Sequence, residues 1–328
     1  MNRRGAVGRI AALGAFPLVA RGQQEPRIPR IGFLVTNMAV GPPLPDAFRQ
    51  GLRELGYVEG RDVAIDFRDA QGRFEQLPAL ARELVALKVD VIVVGGTSQA
   101  LAAKKATSTI PIVFGTVGDP VTSGLVESLA RPGGNATGLS NVAPELVGKR
   151  LELISQILPV TGRVAVLWQP GAVGEHTMTE MRRSADAAAR LLGLQLHFVD
   201  VRDPADFEKA LSGMRNARMD ALTVLGGAMF VVERKRLVDL AAKYRLPTVY
   251  VAREFVDVGG LMSYGANDAD LLRRAAGYVD RILKGARPGD LSVAQPTKFE
   301  LCFNLRTAGA LGISIPQSVL LRADRVIE

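Results

Sequence analysis

Residues Val89–Pro120, VDVIVVGGTSQALAAKKATSTIPIVFGTVGDP, decide the fold class. Val89–Val94 is a β-branched apolar run too short for a helix, so it reads as a strand buried on both faces. It runs directly into Gly95-Gly96-Thr97-Ser98 and then into an Ala-rich helix ending near Ala106. Pro111–Thr116 reads as a second buried strand, followed by Gly118-Asp119-Pro120 and a further helical pattern. Strand, tight glycine turn, hydroxyl N-cap and helix leave backbone N–H groups pointing beyond the strand end. At the carboxyl edge of a parallel sheet, that arrangement suits a carboxylate, a phosphate or another polar ligand.

The chain around this stretch has 328 residues and enough apolar content for two cores. Its formal charge of +8 raises the question of nucleic acid. Four of the arginines lie in Met1–Gly22, which has no acidic residue; without that segment the charge is +4. The remaining Lys and Arg are interspersed with acids, and no basic run with interleaved aromatics appears, which argues against nucleic-acid binding. Cys302 is the single cysteine, so an intrachain disulfide and a structural cysteine zinc site are both excluded. With only His176 and His197 besides, neither a metal centre nor a cofactor is expected.

Met1–Gly22 reads as an export signal. Arg3, Arg4 and Arg9 precede an apolar run, Ile10–Ala20, and Ala20-Arg21-Gly22 offers small residues for cleavage before Gln23. Eleven apolar residues are too few to span a bilayer as a helix, which needs about twenty. No cysteine follows the run, so lipid anchoring is not expected, and Arg3-Arg4 lacks the apolar residues of a twin-arginine signal.

The mature chain alternates strand and helix. Ile31–Val35 is a strand ending in Thr36-Asn37 and a proline-rich loop, Gly41–Pro45; Asp46–Leu55 is an amphipathic helix stopped by Gly56. Val63–Phe67 is a strand, Phe74–Leu87 helical, Asn135–Asn141 a short strand and Glu145–Leu158 a helix. The pattern then restarts. Val164–Trp168, Leu194–Val199, Ala221–Leu225 and Pro247–Val251 read as strands, with helices over Thr177–Leu192, Asp206–Asn216 and Val231–Tyr244. Ile31 to Val63 is 32 residues, as is Val164 to Leu196, and Gly226-Gly227 answers Gly95-Gly96. Matching rhythm implies two similar open α/β lobes, each with a parallel sheet. A strand at Gly260–Tyr264, a helix at Asp268–Leu283, a strand at Lys298–Leu305 and a short helix at Arg306–Leu311 follow, and imply crossings back between lobes. The expected organisation is a signal at 1–22, a first lobe at 23–142 plus part of the tail, a second lobe at 143–262, and a return toward the first lobe at 263–328.

At this point FRQGLRELGYVEGRDVAIDFR, VDVIVVGG, ATSTIPIVFGTVGDPV, LARPGGNATGLS, REFVDVGGLMSYG, RILKGARPGDLSVAQPTKFEL and LGISIPQSVLLRADRVIE carry a resemblance along almost the whole chain. The sequence resembles ABC-transporter substrate-binding proteins of the tryptophan/tyrosine-uptake-like family. The resemblance implies a type I periplasmic binding protein fold: two Rossmann-like α/β lobes, three crossovers and a ligand clamped between them. It also implies a periplasmic location, a permease and an ATPase as partners, and aromatic or related amino acids as ligands.

Candidate ligand residues follow from the strand ends. In the first lobe these are Thr36, Asn37, Gly96, Thr97, Ser98, Thr116, Asp119 and Asn141. Thr97 and Ser98 suit a carboxylate or simply cap their helix; Asp119 could pair with an ammonium or cap the helix that Pro120 begins; Asn141 lies near a crossover. In the second lobe they are Trp168, Gly226, Gly227, Arg253, Glu254, Tyr264 and Asp268. Trp168 could stack on a ring, or cover core at the rim. Its Trp168-Gln169-Pro170-Gly171 turn departs from the Asn-Pro type turn expected of the family. Arg253 and Glu254 offer opposite charges to a zwitterion, or form a surface pair. No nucleotide, serine-hydrolase or zinc-protease motif is present, so an enzyme is not expected. The reading is an exported protein that captures a small carboxylate-bearing solute by hinge closure; a ligand-sensing module for a receptor is the alternative.

Overall fold

The computed structural model describes residues 27–38 and 44–328. The export segment and Gly41-Pro42-Pro43 lie outside the described residues. The first lobe runs β1 (Arg30–Val35), α1 (Leu44–Glu54), β2 (Ala64–Asp69), α2 (Leu77–Ala86), β3 (Val91–Val94), α3 (Thr97–Ala106), β4 (Ile112–Val117) and β5 (Ala136–Ser140). Its strands lie in the order β2-β1-β3-β4-β5, all parallel. Helices cover both faces, which is why β3 carries four consecutive buried apolar residues: Val91 and Val93 enter one core, Ile92 and Val94 the other.

The second lobe repeats that order. It comprises α4 (Ala143–Ile157), β6 (Arg163–Trp168), α5 (Glu175–Leu192), β7 (Gln195–Asp200), α6 (Asp206–Asn216), β8 (Ala221–Val224), α7 (Ala228–Val232), α8 (Arg234–Lys243), β9 (Thr248–Tyr250), α9 (Arg253–Asp257) and β10 (Met262–Ala266). The order β7-β6-β8-β9-β10 matches that of the first sheet, so the equal spacings in sequence correspond to equal topology. The second sheet then departs from a purely parallel one. β11 (Phe299–Asn304) pairs antiparallel with β10, and β12 (Arg325–Ile327) pairs parallel with β11, with α11 (Leu305–Leu311) and α12 (Gln317–Leu320) between them.

Between β10 and β11 the chain visits the other lobe. Helix α10 (Asp268–Leu283) buries Leu271, Leu272, Ala275, Ala276 and Val279 in the first lobe's core with Phe33, Phe48 and Val113. Val293 and Ala294 then hydrogen-bond to Leu129 and Gly138, alongside β5. The chain therefore crosses three times: at Asn141-Val142, at Asn267, and over 295–298. The tail expected to return to the first lobe does so only over 268–294; Phe299 onward completes the second sheet, because the apolar side chains Leu301 and Phe303 belong to its core.

Other boundaries differ for local reasons. The helix expected after Pro120 is a turn: Asp119 Oδ1 accepts from the Val121 and Thr122 N–H groups, and Gly124 at φ 71° breaks the pattern. The single helix expected over Val231–Tyr244 is two, α7 and α8, split at Glu233.

Two glycines let α10 approach closely. A Cβ on Gly51 of α1 would lie 2.0 Å from the Arg273 carbonyl oxygen, and one on Gly115 of β4 would lie 2.3 Å from Leu272. Gly51→Ala should therefore force α1 and α10 apart and lower stability by about 2–3 kcal/mol, read by calorimetry as a melting temperature several degrees lower. Gly277→Ala, whose added methyl meets nothing within 4 Å, should leave it unchanged or raise it through helix propensity.

Candidate functional site

The carboxyl ends of the two sheets face each other across one continuous cleft. In a sheet of order 2-1-3 the crevice opens where connections leave in opposite directions, here between β1 and β3 and between β6 and β8. Nine of the fifteen candidate residues line its main cavity: Thr36, Asn37, Gly96, Thr97, Thr116, Asn141, Gly226, Gly227 and Asp268. Arg253 and Glu254 line a smaller adjoining cavity, and Asp268 belongs to both walls.

Each placement follows from the turn that holds it. Gly96, extended at φ −130°, is the N-cap of α3 and has no side chain with which to cap it. The α3 N-terminus thus opens into the cavity with its backbone donors and the positive end of its dipole. The expected hydroxyl cap is absent because Gly96 takes the N-cap position, and Thr97 and Ser98, as the first helical residues, turn their hydroxyls elsewhere. Thr97 Oγ1 accepts from the Gly118 N–H at 3.3 Å, and Ser98 Oγ donates to the Gly171 carbonyl at 2.7 Å. Thr116 pins the Gly95 turn, its N–H and hydroxyl both reaching the Gly95 carbonyl at 2.6 Å. On the facing lobe a side chain at Gly226 would meet nothing within 4 Å, so backbone is bared to the cleft there.

Charge collects where the chain crosses. Asp268 begins α10, next to the second crossing, and accepts from Asn141 Nδ2, at the first crossing, at a long 3.5 Å. Burial raises the Asp268 carboxyl to about 6; Asn141 and Arg150 oppose the rise and Glu254 adds to it. Arg150 on α4 is 3% exposed, and its Nε donates to the Tyr264 carbonyl at 2.8 Å. Its Nη1 and Asn141 Oδ1 are buried without a hydrogen-bond partner, and burial lowers the Arg150 guanidinium to about 10. These groups therefore sit in a poorly solvated pocket in which ionic charge is only partly compensated.

Four candidates lie outside the cavity lining. Ser98 spans to the opposite lobe. Asp119 closes its own turn through Val121 and Thr122. Trp168 alternates onto the α5 side of the second sheet, where its Nε1 donates to Asp200 at 2.5 Å and Arg182 lies over its ring. The Tyr264 ring packs near Phe299, centroids 6.0 Å apart. The cavity also contains residues that strand-end reasoning passes over. Phe33, Phe74, Leu44, Val173, Met181 and Val231 give it an apolar wall, and Gln99, one turn into α3, reaches back to hydrogen-bond Thr36 Oγ1. Among the described residues no cluster of His, Cys, Asp and Glu is placed to hold a metal, and no helix is long and apolar enough to cross a membrane.

Comparison with known proteins agrees with this geometry. A curated tyrosine-binding protein of Clostridioides difficile is 27% identical over 264 residues, covering 80% of this chain and 75% of that protein. A crystal structure from Streptococcus pneumoniae, an ABC domain in complex with L-Trp, matches with a TM-score of 0.83 at 27% identity, over 92% of this chain and 100% of that one. A conserved domain protein from Vibrio cholerae matches with a TM-score of 0.82 at 31% identity, with the same coverage. The family model described as ABC transporter substrate binding protein matches residues 44–327, and with that extent of agreement this chain belongs to that family of substrate-binding proteins.

Proposed function

We propose that this protein captures an amino acid with an aromatic side chain in the cleft and presents it to an ABC permease and its ATPase. The observation that carries this reading is a single cavity with three kinds of wall: an uncapped helix N-terminus, a poorly compensated carboxylate and an apolar surface. The α3 N-terminus offers donors to the ligand carboxylate. Asp268 offers a counter-ion to the ammonium, and Phe33, Phe74, Leu44, Val173 and Met181 offer a surface for the side chain. The tyrosine and L-Trp named for the two relatives fit the same three walls.

Binding from both lobes would draw them together about the three crossings, and the ligand's preference for the closed form would set the extent of closure. Export through Met1–Gly22 would place the protein in the periplasm, where solute capture precedes import. A sensing role would use the same cleft, and a neighbouring permease gene separates the two.

Isothermal calorimetry with L-tryptophan and L-tyrosine should give saturable heats. Tryptamine, lacking the carboxylate, and indole-3-propionate, lacking the ammonium, should each bind at least about tenfold more weakly. No heat and no thermal shift with any amino acid would remove this reading.

Asp268 also makes stability depend on pH. Because its carboxyl titrates near 6 in the folded protein rather than at the ordinary 3.8, the fold holds that proton more tightly than the unfolded chain does. Ionisation therefore costs stability as pH rises from about 4 to about 7. In unliganded protein, Asp268→Asn should gain melting temperature relative to wild type across that range. A difference that does not change with pH would show that Asp268 titrates normally.

A further inference from the structure

Ser98, whose sequence position suggests ligand contact, hydrogen-bonds from α3 to the opposite lobe. Ser98 is the second residue of α3, yet its hydroxyl turns away from the cavity and donates to the Gly171 carbonyl at 2.7 Å, with the Ala172 carbonyl at 3.2 Å. Gly171 is left-handed at φ 86°, and this conformation turns the loop after Pro170 so that its carbonyls meet α3. The same loop is seated on the first lobe at two further points. A Cβ on Gly171 would lie 3.4 Å from the Phe74 ring, and one on Gly174 would lie 2.8 Å from Leu101. The loop's Ala172 and Val173 form part of the cavity wall.

We propose that Ser98 is a positioning residue, a latch that holds the 169–174 loop of the second lobe against α3 and thereby completes the cavity wall without touching the ligand. This rests on the clamp reading above and adds to it that part of the closing free energy comes from the protein itself. Two consequences follow. Closed molecules are populated before ligand arrives, and the latch slows ligand departure more than it speeds arrival. The neutral hydroxyl–carbonyl bond to Gly171 is exposed and the longer contact with Ala172 part-buried, so its loss should shift the closed-to-open ratio about two- to fivefold.

The test reads the lobes directly and does not depend on knowing the ligand. Lys105→Cys on α3 and Lys209→Cys on α6, both exposed, carry spin labels in a Cys302→Ser background that removes the buried native thiol. In unliganded protein, pulsed-dipolar distances should show a short-distance population that Ser98→Ala reduces by that factor and Ser98→Thr, which keeps the hydroxyl, retains. Unchanged distances in Ser98→Ala would overturn the latch, as would a loss that Ser98→Thr does not recover. If L-tryptophan binds, Ser98→Ala should raise its dissociation rate by the same factor and leave association unaltered. An affinity loss with unchanged unliganded distances would instead make Ser98 a ligand contact and end the proposal. Should no amino acid bind, the distance measurement still decides the latch, so failure of the ligand reading is separate from failure of this one.

Discussion

The structure depends on α10 lying in a core to which the flanking strands add only Ala266, at the end of β10. β10 and β11 are neighbours in the second sheet, yet the helix between them fills the first lobe against α1, β4 and β5. Burying Leu271, Leu272, Ala275, Ala276 and Val279 there stabilises the fold by several kcal/mol, at about 25 cal/mol per Å² of apolar surface. That burial ties the lobes by two chain crossings in addition to the one at Asn141-Val142. Val142, β-branched and left-handed at φ 50°, shows that the first crossing is held under strain, of order 1–3 kcal/mol, by the structure around it. Three short segments therefore join the lobes, and both sheets' strand ends face the cleft between them.

Much of this architecture is legible in sequence because parallel sheets covered on both faces leave a strong signature. β3 and β8 are short apolar runs ending in paired glycines, and the 32-residue spacing repeats because each lobe is built by the same strand order. The limits are equally physical. Whether Lys298–Leu305 pairs with the first or the second sheet depends on tertiary contacts of Leu301 and Phe303, which local periodicity does not encode. The split between α7 and α8 and the turn at Asp119 depend on single side-chain and backbone hydrogen bonds that compete with helix at small free-energy difference.

For the cleft, strand-end reasoning gathers nine of the fifteen candidates in one cavity lining and leaves four outside both linings. Trp168 lies outside the cavity lining through strand parity: it closes β6 on the same face as Val166, toward α5, while the cleft lies beyond the strand end. Phe33 and Met181 are missed because one lies within a strand and the other within a helix, and their access to the cavity arises only when the two lobes face each other.

What separates ligand-directed groups from structural ones is whether the fold has already satisfied them. Short hydroxyls and carboxylates near a turn find backbone partners one to four residues away, as Asp119 does, or pin an adjacent turn, as Thr97 and Thr116 do. Ser98 reaches farther but is equally satisfied. Asp268, Asn141 and Arg150 are different: each is drawn from a separate segment to the crossings, and together they hold one long hydrogen bond, an unpaired Asn141 Oδ1, an unpaired Arg150 Nη1 and a carboxyl titrating near 6. Leaving such groups under-compensated costs a few kcal/mol, which evolution tolerates where a bound charge restores the balance. In the proposed complex the ligand's ammonium would supply that charge at the crossings, beside Asp268.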